Sequence, residues 1–545
     1  MAVSDNNNRK LQGSEAGILP EQLIANFLAT RPAHTVQKLA PGSRPLKAFI
    51  SPLFFIFLSK PKLMKSALSL FLALLITAGY AQKKSKPPVI TANKKSVIQS
   101  VDNRSQEMTG ISDKIWAAAE TAFNETQSSK LLADYAEANG FKLERGVAEM
   151  PTAFVATFGS GKPVIGILGE FDALPGLSQK TNPVKDPVAV GQPGHGCGHN
   201  LFGTASLGAA IAIKELIEQG KLKGTIKFFG TPAEEKFFGK LWMARAGLFN
   251  DLDVCMDWHP GAETKPAVQT GLALVDFIVE FNGQAAHASA DPWNGRSASD
   301  ALELYANGIN YYREHIKPSV RIHYHIQDGG QVVNVVPDYS RLWVRVRDSK
   351  REGMMEVYQR VMKMAEGAAI MANVDYKITL VSGIYECLVN RTGAGYLQSN
   401  LELLGPNTYT EQEIAFAKKI QESTGKPQVG LYNKVEPLEE TDPNAGGGST
   451  DVGDVSWIVP TIRLSAATAP IGTPWHSWAV VACGGMSIGH KGMLQASKLL
   501  AMTMVDLFED PAKIEAVKAD YKKNRGDAPY KALIPDGPPP LEKAR

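Results

Sequence analysis

Residues 191–220, GQPGHGCGHNLFGTASLGAAIAIKELIEQG, run from a glycine-rich turn straight into a helix that stops at Gly220. Gly191, Gly194, Gly196 and Gly198 give a core nothing to pack, yet His195, Cys197 and His199 sit among them and Asn200 follows. Glycine lets a backbone bend sharply, so Cys197 and His199 can face one point while Asn200 caps the helix. On either side are short apolar runs bounded by Gly and Pro. TAFVATFG and PVIGILGEFDALPG precede the turn; GTIKFFGTPAEE, a helix around KLWMARAGLF, and DVCMDWHP follow it. Strands alternating with helices predict a parallel α/β sheet.

Further along, LALVDFIVEFNG reads as a strand and SASDALELYANGINYYREHI as an amphipathic helix. SVRIHYHIQDGG and SRLWVRVRDS form a predicted hairpin, followed by the helix GMMEVYQRVMKMAEGAAIMANV and the strand DYKITLVSG. That β-α-β-β-α-β unit is inserted in the α/β domain. The resulting division is a first catalytic segment over 98–270, the insertion over 271–383, a second catalytic segment over 384–510 and a C-terminal extension over 511–545. SDKIWAAAETAFNETQSSKLLADYAEANG carries one helical pattern ending at Gly140, and 82–96 is a Lys/Pro-rich spacer.

The chain has 545 residues, 44% hydrophobic and 21% charged, with a net charge of +3. No basic stripe marks a nucleic-acid partner. Cys197, Cys255, Cys387 and Cys483 are scattered without a CxxC pair, so neither a disulfide framework nor a zinc ribbon is indicated. From Met64, MKSALSLFLALLITAGYAQ has a basic start, an apolar run and small residues before Gln82, the layout of a secretory signal over 64–81. Residues 1–63 are then a non-native or disordered extension; the competing reading joins AFISPLFFIFLSK (48–60) to this run as an anchor. The expected destination is periplasmic or extracellular, with no stable membrane span after processing.

The ligand-type residues fall where an open parallel sheet gathers its chemistry, beyond the carboxyl ends of strands. Asp172 follows VIGIL, Glu234 and Glu235 follow IKFFG, His259 follows DVCMDW, and His476 lies in GTPWHSWAVV. Cys, His and Glu together are a transition-metal inventory. Singly these residues are weak signals, since a lone His is more often structural and a Glu pair is usually solvated. The glycines could also form a phosphate cradle, but neither G-x-x-x-x-G-K-[ST] nor a strand followed by G-x-G-x-x-G occurs there.

Jointly, GEFDALPG, GHGCGHN, GTPAEE, DWHPG, FNGQAAHASADPWNGRSA, DGGQVVNVVPD and PWHSW resemble a known group over about residues 105–535. It is the dinuclear metallopeptidase and amidohydrolase family of carboxypeptidase G, aminoacylase and the indole-acetyl-amino-acid hydrolases. GGGSTDVGDVSW and SIGHKGM bring the chain nearest its aminobenzoyl-glutamate hydrolase branch. The resemblance implies a zinc-peptidase-like three-layer α/β domain with an inserted ferredoxin-like α+β lid that dimerises. It also implies two divalent ions per subunit, zinc or manganese, held by Cys197, His199, Glu235, His259 and His476, with Glu234 as general acid/base. Many relatives have His-x-Asp where this chain has Glu170-Phe171-Asp172, so Asp172 is expected to orient a ligand rather than to be one, and His195 is expected to stay off the metals. His287 in AAHAS would stabilise the oxyanion across the dimer, and Asn334 would touch substrate. Arg347 is the weakest assignment, a grip for a substrate carboxylate or an ordinary strand arginine. The substrate would be a small amide, an N-acyl (aminobenzoyl-type) amino acid or a dipeptide. The partner would be a second copy of the chain or a related subunit. The alternatives are a non-catalytic metal- or peptide-binding relative and a metal-free hydrolase using Cys197 as nucleophile.

Overall fold

The computed structural model describes residues 90–441 and 447–544. The expected extension over 1–63 and the signal segment over 64–81 lie outside them. The chain enters through the helices Ala92–Asn103, Ser105–Ala118 and Thr126–Ala138. The first begins inside the stretch read as a spacer. The next two replace the single helix expected up to Gly140. Between them the backbone turns left-handed at Ala119 and Phe123. The break is stabilised by side chains: Glu120 accepts the backbone N–H groups of Gln127 and Ser128, and Glu125 folds inward to accept the N–H of Ala233 at 2.9 Å.

Strands β1 (Lys142–Arg145), β2 (Phe154–Ser160), β3 (Val164–Glu170), β4 (Gly224–Thr231), β5 (Val254–Gly261) and β6 (Lys265–Pro266) follow. They join the late strand Thr461–Ala467 in a seven-stranded sheet. In it β4, β3, β5 and Thr461–Ala467 run parallel, while β1, β2 and β6 add antiparallel strands. β3 is buried along its whole length, as a central strand covered on both faces must be. One cover is the helix His199–Glu218, packed against the helix Ser487–Glu509. By length and composition His199–Glu218 could cross a membrane, but it is buried inside the domain.

Between the two halves of this sheet the chain builds a second one from β7 (Ala273–Asn282), β8 (Arg321–Asp328), β9 (Tyr339–Asp348) and β10 (Asp375–Ile384). Its order β10-β7-β9-β8 is wholly antiparallel, with the helices Ala298–Tyr312 and Arg351–Ala372 packed on one another and on the sheet. This is the expected ferredoxin-like insertion. The strand alternation is clean in β9, where Leu342, Val344 and Val346 are buried and Trp343 is exposed.

After β10 come the helices Arg391–Leu404, Glu411–Ser423 and Val452–Ser456, then β11 (Thr461–Ala467) and the helices Trp478–Gly484, Ser487–Glu509 and Pro511–Arg525. The C-terminal stretch read as an extension is packed. Ile514 and Val517 of Pro511–Arg525 are buried, Ile534 joins the core, and Arg245 donates to the carbonyls of Pro535 and Gly537.

Candidate metal centre

Three parallel strands deliver side chains to one place from their carboxyl ends. β3 ends at Glu170 with Asp172 two residues on, β4 leads to Glu234 and Glu235, and β5 carries His259. The glycine turn supplies Cys197 and His199. A β-carbon on Gly194 would lie 2.4 Å from the Leu177 carbonyl oxygen, so a side chain there would push the turn off its neighbour. Gly198 has φ +85°, which a left-handed turn reserves largely for glycine, and a β-carbon there would meet the Pro260 ring at 3.0 Å. It is Gly198, not Asn200, that occupies the N-cap of the helix, whose first residue is His199. Asn200 lies inside the helix and spends its amide on Ser112 Oγ and the Gly484 carbonyl, both at 3.0 Å. His195 stands apart, buried, with Nε2 3.1 Å from the Ile115 carbonyl.

Cys197 is common to two sets of donor atoms. With His199 and His259, and again with Glu235 and His476, it forms a trio whose donors all lie within 4.8 Å of one another; Glu170, His199 and Glu234 form a third. Cys197 Sγ is 3.3 Å from His259 Nε2, and His476 Nε2 is 3.4 Å from Glu235 Oε1. Donors about 2.0–2.3 Å from a shared tetrahedral ion stand about 3.3–3.6 Å from each other, so both contacts have the spacing of neighbouring ligands.

Second partners fix the rings. Asp172 Oδ1 is 2.9 Å from His199 Nδ1, and its Oδ2 accepts the backbone N–H of Glu235 at 2.9 Å. His259 Nδ1 is 2.7 Å from the Pro260 carbonyl. Each histidine therefore places its Nδ1 proton on an oxygen and turns a bare Nε2 toward the cluster, the arrangement of a metal-ligating imidazole. Two left-handed non-glycine residues flank the site, Ala233 at φ 62° and His476 at φ 53°. Such strain persists where surrounding contacts impose it; here the His476 N–H is held on the Gly196 carbonyl at 3.1 Å.

The charges do not balance without a cation. Burial pushes the Glu234 carboxyl well above its usual range, with Glu170, Glu235 and Asp451 adding to the effect. Burial likewise raises Glu235 to about 7, against the pull of His199, and raises the Cys197 thiol. His259 is lowered to about 4 by burial and by neighbouring His199. Glu170 Oε2, His199 Nε2 and Glu235 Oε1 are buried without a hydrogen-bond partner. Buried polar atoms are rarely left so, and soft, borderline and hard donors converging in this way suit a divalent transition metal. The residues fit two such ions.

The other expected site residues are elsewhere. His287 is exposed on the inserted domain and pairs with Val335 through a β-bridge. Asn334 is its neighbour, its carbonyl accepting the N–H of Ala288 at 3.1 Å. Arg347, half-buried on β9, reaches Ser449 Oγ at 3.5 Å, and its Nε has no hydrogen-bond partner among the described residues. None of the three belongs to a donor trio. Conversely, Glu170, Lys240 and Asp451, which the sequence motifs do not single out, lie buried against the cluster. Glu170 could have been found as a second acid at the end of β3; nothing in the local pattern marks Lys240.

Residues 166–455 match the description "Peptidase family M20/M25/M40". The chain belongs to this family. Among its M20 relatives, a p-aminobenzoyl-glutamate hydrolase subunit of Escherichia coli (strain K12) is 38% identical over 467 residues, 80% of this chain and 97% of that one. The Xaa-Arg dipeptidase of Homo sapiens is 29% identical over 445 residues, 78% of this chain and 91% of the other. A solved dinuclear metal-binding M20 peptidase from Bacillus subtilis matches with a TM-score of 0.52 at 17% identity, covering 75% of this chain and 99% of its own. The fold is thus that of the M20 peptidases, and the protein is a metal-dependent amide hydrolase.

Proposed function

We propose that this M20 enzyme cleaves the amide bond of an N-acyl amino acid of the aminobenzoyl type, or of a dipeptide, with two divalent ions, zinc or manganese. The observation that carries the metal reading is the sharing of Cys197 between two donor trios, one completed by His199 and His259 and the other by Glu235 and His476. The substrate class is drawn from the aminobenzoyl-glutamate hydrolase and dipeptidase relatives.

When bound, the ions polarise the scissile carbonyl and make water nucleophilic at neutral pH. Glu234 takes the proton from the attacking water and returns it to the leaving nitrogen, a role that suits a buried carboxyl whose proton affinity is raised. Asp172 orients His199 and the backbone of Glu235. The oxyanion is stabilised by His287 of a second copy, and Asn334 beside it touches the substrate. Arg347 is the candidate grip for a substrate carboxylate. The loop carrying Asn334 presents Val332 and Val333, the latter 97% exposed, and this apolar surface supports a dimer through the inserted domain.

The test is hydrolysis of aminobenzoyl-glutamate, N-acyl amino acids and dipeptides before and after chelation. Loss of activity with chelator and its return with zinc or manganese is expected. Activity that survives the chelator but not iodoacetamide would replace the metal centre with a Cys197 nucleophile. Sedimentation distinguishes a homodimer from an assembly that needs a related subunit.

A further inference from the structure

Behind the donor trios lies a row of charges more deeply buried than the site itself. Lys240 Nζ is 2.6 Å from Glu170 Oε1 and 2.7 Å from Asp451 Oδ1, and the Lys240 backbone N–H donates to Asp451 Oδ2 at 3.0 Å. Glu170 is 1% exposed and Lys240 and Asp451 are 0% exposed. Removing one member of a fully buried ion pair leaves an uncompensated charge, so such rows are held rigidly. The row fixes one oxygen of Glu170 and leaves the other to face the centre.

That other oxygen, Oε2, lies 3.0 Å from His199 Nε2. Because His199 Nδ1 is 2.9 Å from Asp172 Oδ1, the ring proton is used there. A carboxylate lone pair and an imidazole lone pair then face each other with no hydrogen-bond partner for either atom. At this distance in a water-excluded site they repel unless a cation lies between them. Two donors at about 2.1 Å from one ion, roughly 90° apart, are separated by about 3.0 Å.

We infer that Glu170 is a further ligand, joining His199 on one of the two ions, with Lys240 and Asp451 as positioning residues behind it. The inference rests on the two-ion reading of the site. Its consequence is a division of labour. One ion gains four protein donors, Cys197, His199, His259 and Glu170, the number that closes a tetrahedral site. The other keeps three, Cys197, Glu235 and His476, the number that leaves a position open for substrate.

The experiment uses the full-length protein and cobalt(II) as probe, measuring metal stoichiometry, chelator-competition dissociation constants and the visible cobalt spectrum. The wild type should bind two ions. Glu170→Gln should bind one as before and the other on the order of tenfold or more weakly, with a changed cobalt absorption for that ion. Two ions with unchanged constants and spectrum in Glu170→Gln would overturn the inference and leave a proton between Glu170 and His199. A wild type that binds no cobalt would overturn the two-ion reading itself. Glu170→Asp keeps the charge beside Lys240 while withdrawing the oxygen, and carries the same comparison if Glu170→Gln fails to fold. The zinc-loaded wild-type crystal structure needs no variant: Glu170 Oε2 within about 2.2 Å of an ion supports the assignment, and a separation beyond about 3 Å refutes it.

Discussion

Asp172 Oδ1 lies 2.9 Å from His199 Nδ1, and both residues are buried. The same carboxylate holds the Glu235 backbone N–H with its second oxygen. One side chain therefore aligns a donor from each of the trios that share Cys197. Asp172→Asn keeps the size but replaces one acceptor oxygen with an N–H₂ group. Either the His199 ring or the Glu235 peptide must then lose its acceptor. Metal affinity should fall about 10–100-fold, the usual cost of removing an outer partner. Chelator competition measures it, and an unchanged affinity would show that Asp172 orients neither donor.

The adjacent acids should separate by role. Glu235 lies with Cys197 and His476, whereas Glu234 lies with Glu170 and His199. Glu235→Gln should purify with less metal and be partly rescued by added ion. Glu234→Gln should keep near-normal metal and lose about 10²–10⁴-fold in turnover, as expected when a proton carrier is removed. Metal stoichiometry and turnover on the same preparations decide it. Metal loss in Glu234→Gln with retention in Glu235→Gln would reverse the assignment.

Stability of the metal-free protein should fall as pH rises. Burial raises Glu235 and Glu386 to about 7, Asp257 to about 6 and Glu125 to about 8. Their values in the unfolded chain are the ordinary ones near 4. Between these limits the native state binds more protons than the unfolded state, so unfolding becomes easier as the pH climbs. His199, raised by Glu170, Cys197 and Asp172 against the opposing effect of burial, acts in the same direction. Glu170, held low by Lys240 and His199 despite its burial, is ionised in both states above pH 5.5 and adds no slope there. A bound cation replaces the protons of the centre and binds more tightly where they are scarce. The Tm difference between metal-loaded and metal-free protein should widen from pH 5.5 to 8; a constant or shrinking difference would contradict this.

How far the sequence could be read follows from where the information lies. The β-α-β-β-α-β insertion was legible because β7, β9 and their helices carry strong local periodicity. The parallel strands were legible from apolar runs punctuated by Gly and Pro. The break between Ala118 and Thr126 was not, because the intervening residues continue a helical pattern; only Glu120 and Glu125, bonded to other stretches of the chain, show why it breaks. Asn200 looked like a cap because its residue type suits that position, but Ser112 and Gly484, 88 and 284 residues away, compete for its amide. Lys240 was invisible for the same reason. A lysine on a short helix reads as solvated until the fold places Glu170 and Asp451 around it.

His287 is the residue whose place in a single chain least resembles its expected role. It is exposed on the inserted domain and outside every donor trio. Its ring is nevertheless oriented. Nδ1 faces the backbone N–H groups of Ser289 and Ala290, each at 3.3 Å, and therefore acts as acceptor. The proton of the neutral ring then belongs on Nε2, a free donor of the kind an oxyanion needs. A donor held ready on an exposed loop serves a site in another molecule. His287→Ala should keep its metal and its assembly state but lose turnover. Mixed with Glu234→Gln, itself nearly inactive, it should regain activity, because a hybrid dimer pairs an intact Glu234 in one chain with an intact His287 from the other. Random exchange of equal amounts makes half the dimers hybrid, each with one complete site of two, so recovery should approach about a quarter of wild-type turnover for a two-fold dimer. No recovery, under conditions where labelled chains demonstrably exchange, would confine catalysis to groups within one chain and remove His287 from it.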